Sequence, residues 1–95
     1  MLPWSYEFAG RIEQREIDSA ALRGNHLGDP HVRPIWVYLP PSYDSDSQRR
    51  FPAVYVIQGY TGQVVAWANR SAYRQPFLET ADMLFAAGNP PECVI

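Results

Sequence analysis

Gly59 and Gly62 bracket Tyr60 and Thr61 directly behind the apolar run FPAVYVI, residues 51 to 57. Glycine lets a chain turn tightly and lets backbone come close to a ligand, so this spacing could present bare amide donors to a developing negative charge. A plain turn capping a strand uses the same residues, and only the flanking sequence can separate the two. Trp67, five residues beyond Gly62, stands either beside a bound apolar group or between a helix and a sheet.

Other chemistry-bearing residues form weaker patterns. HLGDPH places His26, Asp29 and His31 within six residues; zinc takes such side chains, but a structural site needs four ligands and no fourth is in view. In a polar turn two histidines are ordinarily solvated, and no metal is expected. DSDSQ from Asp44 imitates the start of a calcium loop, yet Arg49 stands where the loop needs glycine and Tyr55 where it needs glutamate. Cys93 opens an apolar segment and reads as a small core residue. Ser5, Ser19, Ser42, Ser45, Ser47 and Ser71 are the serines, and none lies in a G-x-S-x-G nucleophile elbow.

The elements that must position these residues follow from periodicity. Trp4, Tyr6 and Phe8 alternate with Ser5, Glu7 and Ala9, and the weak alternation from Ile12 to Ile17 extends the pattern of an edge strand or hairpin. LRGNHLGDPHVRP, residues 22 to 34, is turn-rich, and IWVYL, residues 35 to 39, is a strand closed by Pro40 and Pro41. SYDSDSQRR is a polar loop. Phe51 to Ile57, apolar on both faces, predicts a central strand beneath helices. Phe77, Leu78, Ala81, Leu84 and Phe85 predict an amphipathic helix with Glu79, Thr80 and Asp82 off its apolar face, Pro76 in its first turn and Gly88 at its end. ECVI, residues 92 to 95, begins another strand. This order predicts an α/β fold, amino-terminal antiparallel strands followed by the start of a parallel sheet with one crossover helix. In such sheets ligands sit at the carboxyl ends of the strands, where the Gly59 to Gly62 loop falls.

The totals agree with one small domain. Within 95 residues, 46% apolar and 14% aromatic, there is enough material for a core and too little length for a second domain. Eight scattered arginines against ten acids, net charge −2, exclude the clustered basic face that nucleic acid requires. No stretch approaches the roughly 18 apolar residues of a membrane span. The start MLPWSYEFAG lacks the basic region and apolar stretch of a secretion signal, so a cytoplasmic protein is expected. A single cysteine leaves the redox compartment open.

WVYLPPSYD followed by RRFPAVYVIQGYTG and Trp67 resembles the amino-terminal part of the putative-esterase family of α/β-hydrolases, which includes formylglutathione hydrolase, feruloyl and enterochelin esterases and the mycolyltransferases. The resemblance runs from about Glu16 to Ile95 and rests on the two motifs together. It implies a partial α/β-hydrolase fold, residues 1–95 forming a single incomplete domain that ends at the fourth core strand. It implies chemistry in which a serine attacks an ester carbonyl, a histidine relays the proton, an acid orients the histidine and backbone amides hold the oxyanion. Carried onto this chain, the first oxyanion donor is the backbone amide of Tyr60, with Gly59 permitting the turn. Many relatives have histidine where Gln58 stands; the donor, being backbone, is unaffected.

The resemblance therefore implies the amino-terminal portion of a serine esterase or acyltransferase, supplying half of an oxyanion hole without nucleophile, acid or histidine, and inactive alone. Acyl esters are the implied substrates, no cofactor is needed, and the expected partner is a complementing chain or a second copy. A sheet so interrupted should leave apolar edges exposed and the product unstable, aggregation-prone or partner-dependent. The alternative is a small β-rich binding or interaction module without catalysis.

Overall fold

The computed structural model describes residues 6–60, 62–88 and 90–95. Strand β1, Arg11–Asp18, pairs antiparallel with strand β2, Val32–Leu39, in a register running from Arg11 opposite Leu39 to Asp18 opposite Val32. Between them the turn-rich segment is held by Asn25. Its side-chain amide donates to the carbonyls of Leu22 (2.8 Å) and Asp29 (2.9 Å), and its oxygen accepts the amides of Leu27 (3.1 Å) and Asp29 (3.2 Å). Gly24 (φ 72°) and Gly28 (φ 71°) supply the left-handed residues that this winding needs. Ser19 N–H donates to the His31 carbonyl at 2.8 Å and closes the loop at the hairpin base.

After the hairpin come a polar loop, the segment Phe51–Gln58, a 3-10 helix at Val64–Ala68 and helix α1, Phe77–Ala86. Pro76 caps α1, accepting the Thr80 amide at 3.2 Å, and Gly88 (φ 78°) ends it by donating to the Phe85 carbonyl at 3.0 Å.

The expected α/β architecture, a partial α/β-hydrolase fold, is corrected by the strand pairing. Among the described residues there are two antiparallel strands and one α-helix, with neither a parallel sheet nor a crossover helix. Phe51 to Ile57 is not the central strand its composition predicts: one isolated parallel bridge joins Ala53 to Val94, and residues 52–57 are exposed. A strand buried on both faces needs ladder partners at both edges and helices above and below. Here Val94 is its only ladder partner among the described residues, and ten residues of helix are too few to cover it. Of the anticipated alternation at the start, Trp4 lies outside the described residues, and Tyr6 and Phe8 are not in a strand.

Helix α1 forms where the periodicity places it, but it buries a different face. Asp82 (0% exposed) and Glu79 are buried together with Leu78, while Phe77, Met83 and Leu84 are exposed. The cause is polar. Asp82 Oδ2 accepts the Tyr6 hydroxyl (2.5 Å) and the Ala9 amide (2.8 Å), and Oδ1 accepts the Tyr38 hydroxyl (2.7 Å) and the Gly10 amide (2.8 Å). A buried carboxylate persists only when its lone pairs are filled, and four donors fill them. Burial pushes the Asp82 carboxyl upward, but these bonds outweigh it and hold the group below its ordinary range. Burial, with the carboxylate second, raises Tyr38 and pushes Tyr6 up to about 12.

Tyr38 joins the parts. Its backbone exchanges two hydrogen bonds with Ile95 (2.8 and 3.1 Å), its hydroxyl meets α1 through Asp82, and its ring stacks on Phe85 at 6.0 Å. Glu92, also buried, accepts the Ser42 amide at 3.1 Å and pairs with Arg49 at 3.3 Å, tying the polar loop to the carboxyl-terminal segment.

Candidate functional site

The segment that leads into the glycine loop is anchored at its start. Val94 N–H donates to the Pro52 carbonyl (2.9 Å), and Val54 N–H donates to the Val94 carbonyl (2.8 Å). Beyond that bridge the chain runs to Gln58 without a ladder partner among the described residues, and turns. Gly62 N–H donates to the Gly59 carbonyl at 2.9 Å, closing a four-residue turn around Tyr60; Thr61 lies outside the described residues. The 3-10 helix follows at once, its Ala66 amide donating to the Gln63 carbonyl at 2.9 Å, and it carries Trp67 back toward the segment.

Trp67 is fixed by two neighbours. Its indole N–H donates to Gln58 Oε1 at 3.4 Å, and its ring lies 5.7 Å from that of Phe77, tilted by 59°. A cavity of about 240 Å³ opens here, lined by Trp36, Val54, Val56, Gln58, Trp67 and Leu78 among others. The Trp67 ring lines this apolar cavity and lies against Phe77, the first residue of α1.

Tyr60 is fully exposed, and among the described residues its amide meets no acceptor. The steric demand for glycine falls at Gly62: a Cβ there would meet Gln58 Cβ at 2.6 Å and Cγ at 2.9 Å, whereas at Gly59 it would meet open space. Gly59 also lacks a positive φ. The turn is therefore kept tight by the packing of Gly62 on Gln58.

The remaining candidates are dispersed. His31 Nε2 lies 3.7 Å from Asp18 Oδ1, Asp29 is engaged with Asn25 through its backbone, and His26 is exposed. Among the described residues no three His, Cys, Asp or Glu side chains gather as a metal-binding group. Cys93 is half-buried, and burial pushes its thiol upward, away from a reactive thiolate. No helix among the described residues is long and apolar enough to cross a membrane.

Sequence reasoning missed three lining residues. Trp36 carries a signal as the large aromatic residue within the strand IWVYL. Helical spacing puts Phe77 in the core, but it stands at the cavity and is exposed. Gln58 reads in the sequence only as a replacement for histidine, although an amide directly before a turn could hold an indole. No protein-family model matches the chain, and no curated protein matches it.

Proposed function

We propose that this chain contributes the oxyanion loop and one apolar wall of a serine esterase or acyltransferase site that acts on acyl esters. The observation that carries the proposal is the Tyr60 amide, which meets no acceptor among the described residues, in a turn directly behind Gln58 and the apolar cavity. Such a donor can hold the oxygen of a tetrahedral intermediate, while Trp67, Trp36 and Val56 face the apolar part of an acyl group. The resemblance of WVYLPPSYD and FPAVYVIQG to the putative-esterase family supports the same chemistry. None of the six serines stands in a nucleophile elbow, so the attacking serine is supplied from outside these residues, and the chain alone binds without turning over.

A titration tests this. Benzoate, an aromatic acyl carboxylate, should move the Tyr60 amide resonance saturably and quench tryptophan fluorescence, and Trp67→Ala should abolish both. The chain should release no nitrophenol from p-nitrophenyl butyrate. An unmoved Tyr60 amide at saturating quench, or turnover that survives replacement of every serine, overturns the proposal.

A second reading, a small interaction module, is favoured by one observation: Tyr55 and Ile57 are 88% and 87% exposed. Burial of large apolar side chains is what binding to another chain provides.

A further inference from the structure

We infer that the open edge of the segment Ala53–Ile57 is a docking surface for a second copy of this chain, paired edge to edge about a two-fold axis. The backbone sets the geometry. An extended chain turns the polar groups of successive residues to opposite edges, and Val54 N–H and the Pro52 carbonyl are committed to Val94. If the chain continues extended beyond the bridge, Tyr55 and Ile57 offer their N–H and C=O groups on the other edge, and among the described residues these find no backbone partner. Their side chains are almost wholly exposed.

The chain as a whole exposes more surface than a globule of its mass does, and one interface would cover part of that excess. A folded chain of 10.8 kDa is expected to expose about 5,500 Å², and this one exposes 7516 Å². Its radius of gyration is 15.7 Å, against about 12 Å for a globule of this length. The excess of about 2,000 Å² exceeds the roughly 800 Å² that each partner hides in a standard interface.

Charge selects the occupant. From Phe51 to Asn69 the sequence contains no Asp, Glu, Lys, Arg or His, so two copies meet here without like-charge repulsion, and a charged partner gains nothing. An antiparallel pair of identical strands is self-complementary, which is the requirement of a two-fold interface. The edge also lacks the charges and prolines that usually protect exposed strands, since Pro52 precedes it. Assembly closes at two copies because β1, the outer strand of the hairpin, is blunted by charge: RIEQREID carries Arg11, Glu13, Arg15, Glu16 and Asp18.

The test is molar mass by analytical ultracentrifugation from about 1 to about 200 µM, the span of a typical weak-to-moderate self-association. The mass should climb from 10.8 kDa toward twice that value. Tyr55→Lys with Ile57→Lys should hold it at the single-chain mass throughout, while Leu27→Lys, on the exposed hairpin loop, should reproduce the unmodified curve. Hydrogen exchange on the unmodified chain supplies a readout independent of any variant: the Tyr55 and Ile57 amides should slow as concentration rises. A constant single-chain mass, growth beyond the dimer, an unchanged curve in the double variant, or concentration-independent exchange at both amides would each overturn the inference.

Discussion

Replacing Asp82 should destabilise the chain more than any other single side-chain truncation at the helix–hairpin junction. The carboxylate is fully buried and accepts four hydrogen bonds, one hydroxyl and one backbone amide on each oxygen. Hydrogen bonds to a charged group contribute about 1.5–3 kcal/mol each, but members of one network do not add, and breaking a buried charged cluster costs about 3–5 kcal/mol. Asp82→Ala strands all four donors and should lose that amount, a large share of the roughly 5–15 kcal/mol available to a small domain. Asp82→Asn keeps the shape, but either amide orientation aims an N–H at the amide of Ala9 or Gly10; the cost should be about 2–3 kcal/mol. Tyr38→Phe removes one donor and should cost about 1.5–3 kcal/mol. Urea unfolding followed by circular dichroism measures all three, and the Tyr38→Phe/Asp82→Ala double variant should fall short of additivity by about 1–2 kcal/mol. If Asp82→Ala lies within about 0.5 kcal/mol of the unmodified chain, as surface changes do, the carboxylate does not hold the helix to the hairpin.

Two further outcomes follow from the same cluster. A Cβ on Gly10 would lie 2.2 Å from the Leu39 carbonyl oxygen, 3.0 Å from the Tyr38 hydroxyl and 3.1 Å from Asp82 Oδ1, so Gly10→Ala should cost about 1–3 kcal/mol as the backbones part, read as a lower urea midpoint. The cluster should also set the pH profile of stability. Asp82 is held below its ordinary range, so its stabilisation is complete above about pH 4, the unfolded value, and is lost as pH falls through the folded one. Tyr38 is raised and Tyr6 raised to about 12, so their stabilisation is complete below about pH 10 and disappears as pH climbs toward and past 12. Urea midpoints across pH should form a plateau with two falling limbs, and an acid limb unchanged by Asp82→Asn would assign that limb to another group.

The hairpin and the helix were legible because their signals are local. Gly24, Asn25 and Gly28 dictate a turn whatever surrounds them, and the spacing of Phe77, Leu78, Ala81, Leu84 and Phe85 marks a helix by itself. What periodicity could not give was which face the helix buries. Asp82 looks solvated in the sequence because its four donors come from Tyr6, Ala9, Gly10 and Tyr38, as far as 76 positions away. Phe51 to Ile57 misled for the reciprocal reason: an apolar run states what a segment can bury, whereas a strand exists only if partners arrive at its edges, and here one bridge to Val94 is all that does among the described residues.

The loop shows the same division on a smaller scale. Two glycines announce a turn, yet the sequence cannot say which of them is sterically required, and Gly62 owes its need to the Gln58 side chain four residues earlier. Whether a backbone amide is available depends on every possible acceptor nearby, which no local pattern encodes; Tyr60 qualifies because the turn spends its own internal bond on Gly62. Filling the space at Gly62 and at Gly59 should then have unequal consequences. Gly62→Ala should displace Gln58, break its bond to the Trp67 indole and shift tryptophan emission, whereas Gly59→Ala should leave both in place. Equal shifts from the two variants would mean that the turn, rather than the Gly62 to Gln58 packing, holds Trp67 at the cavity.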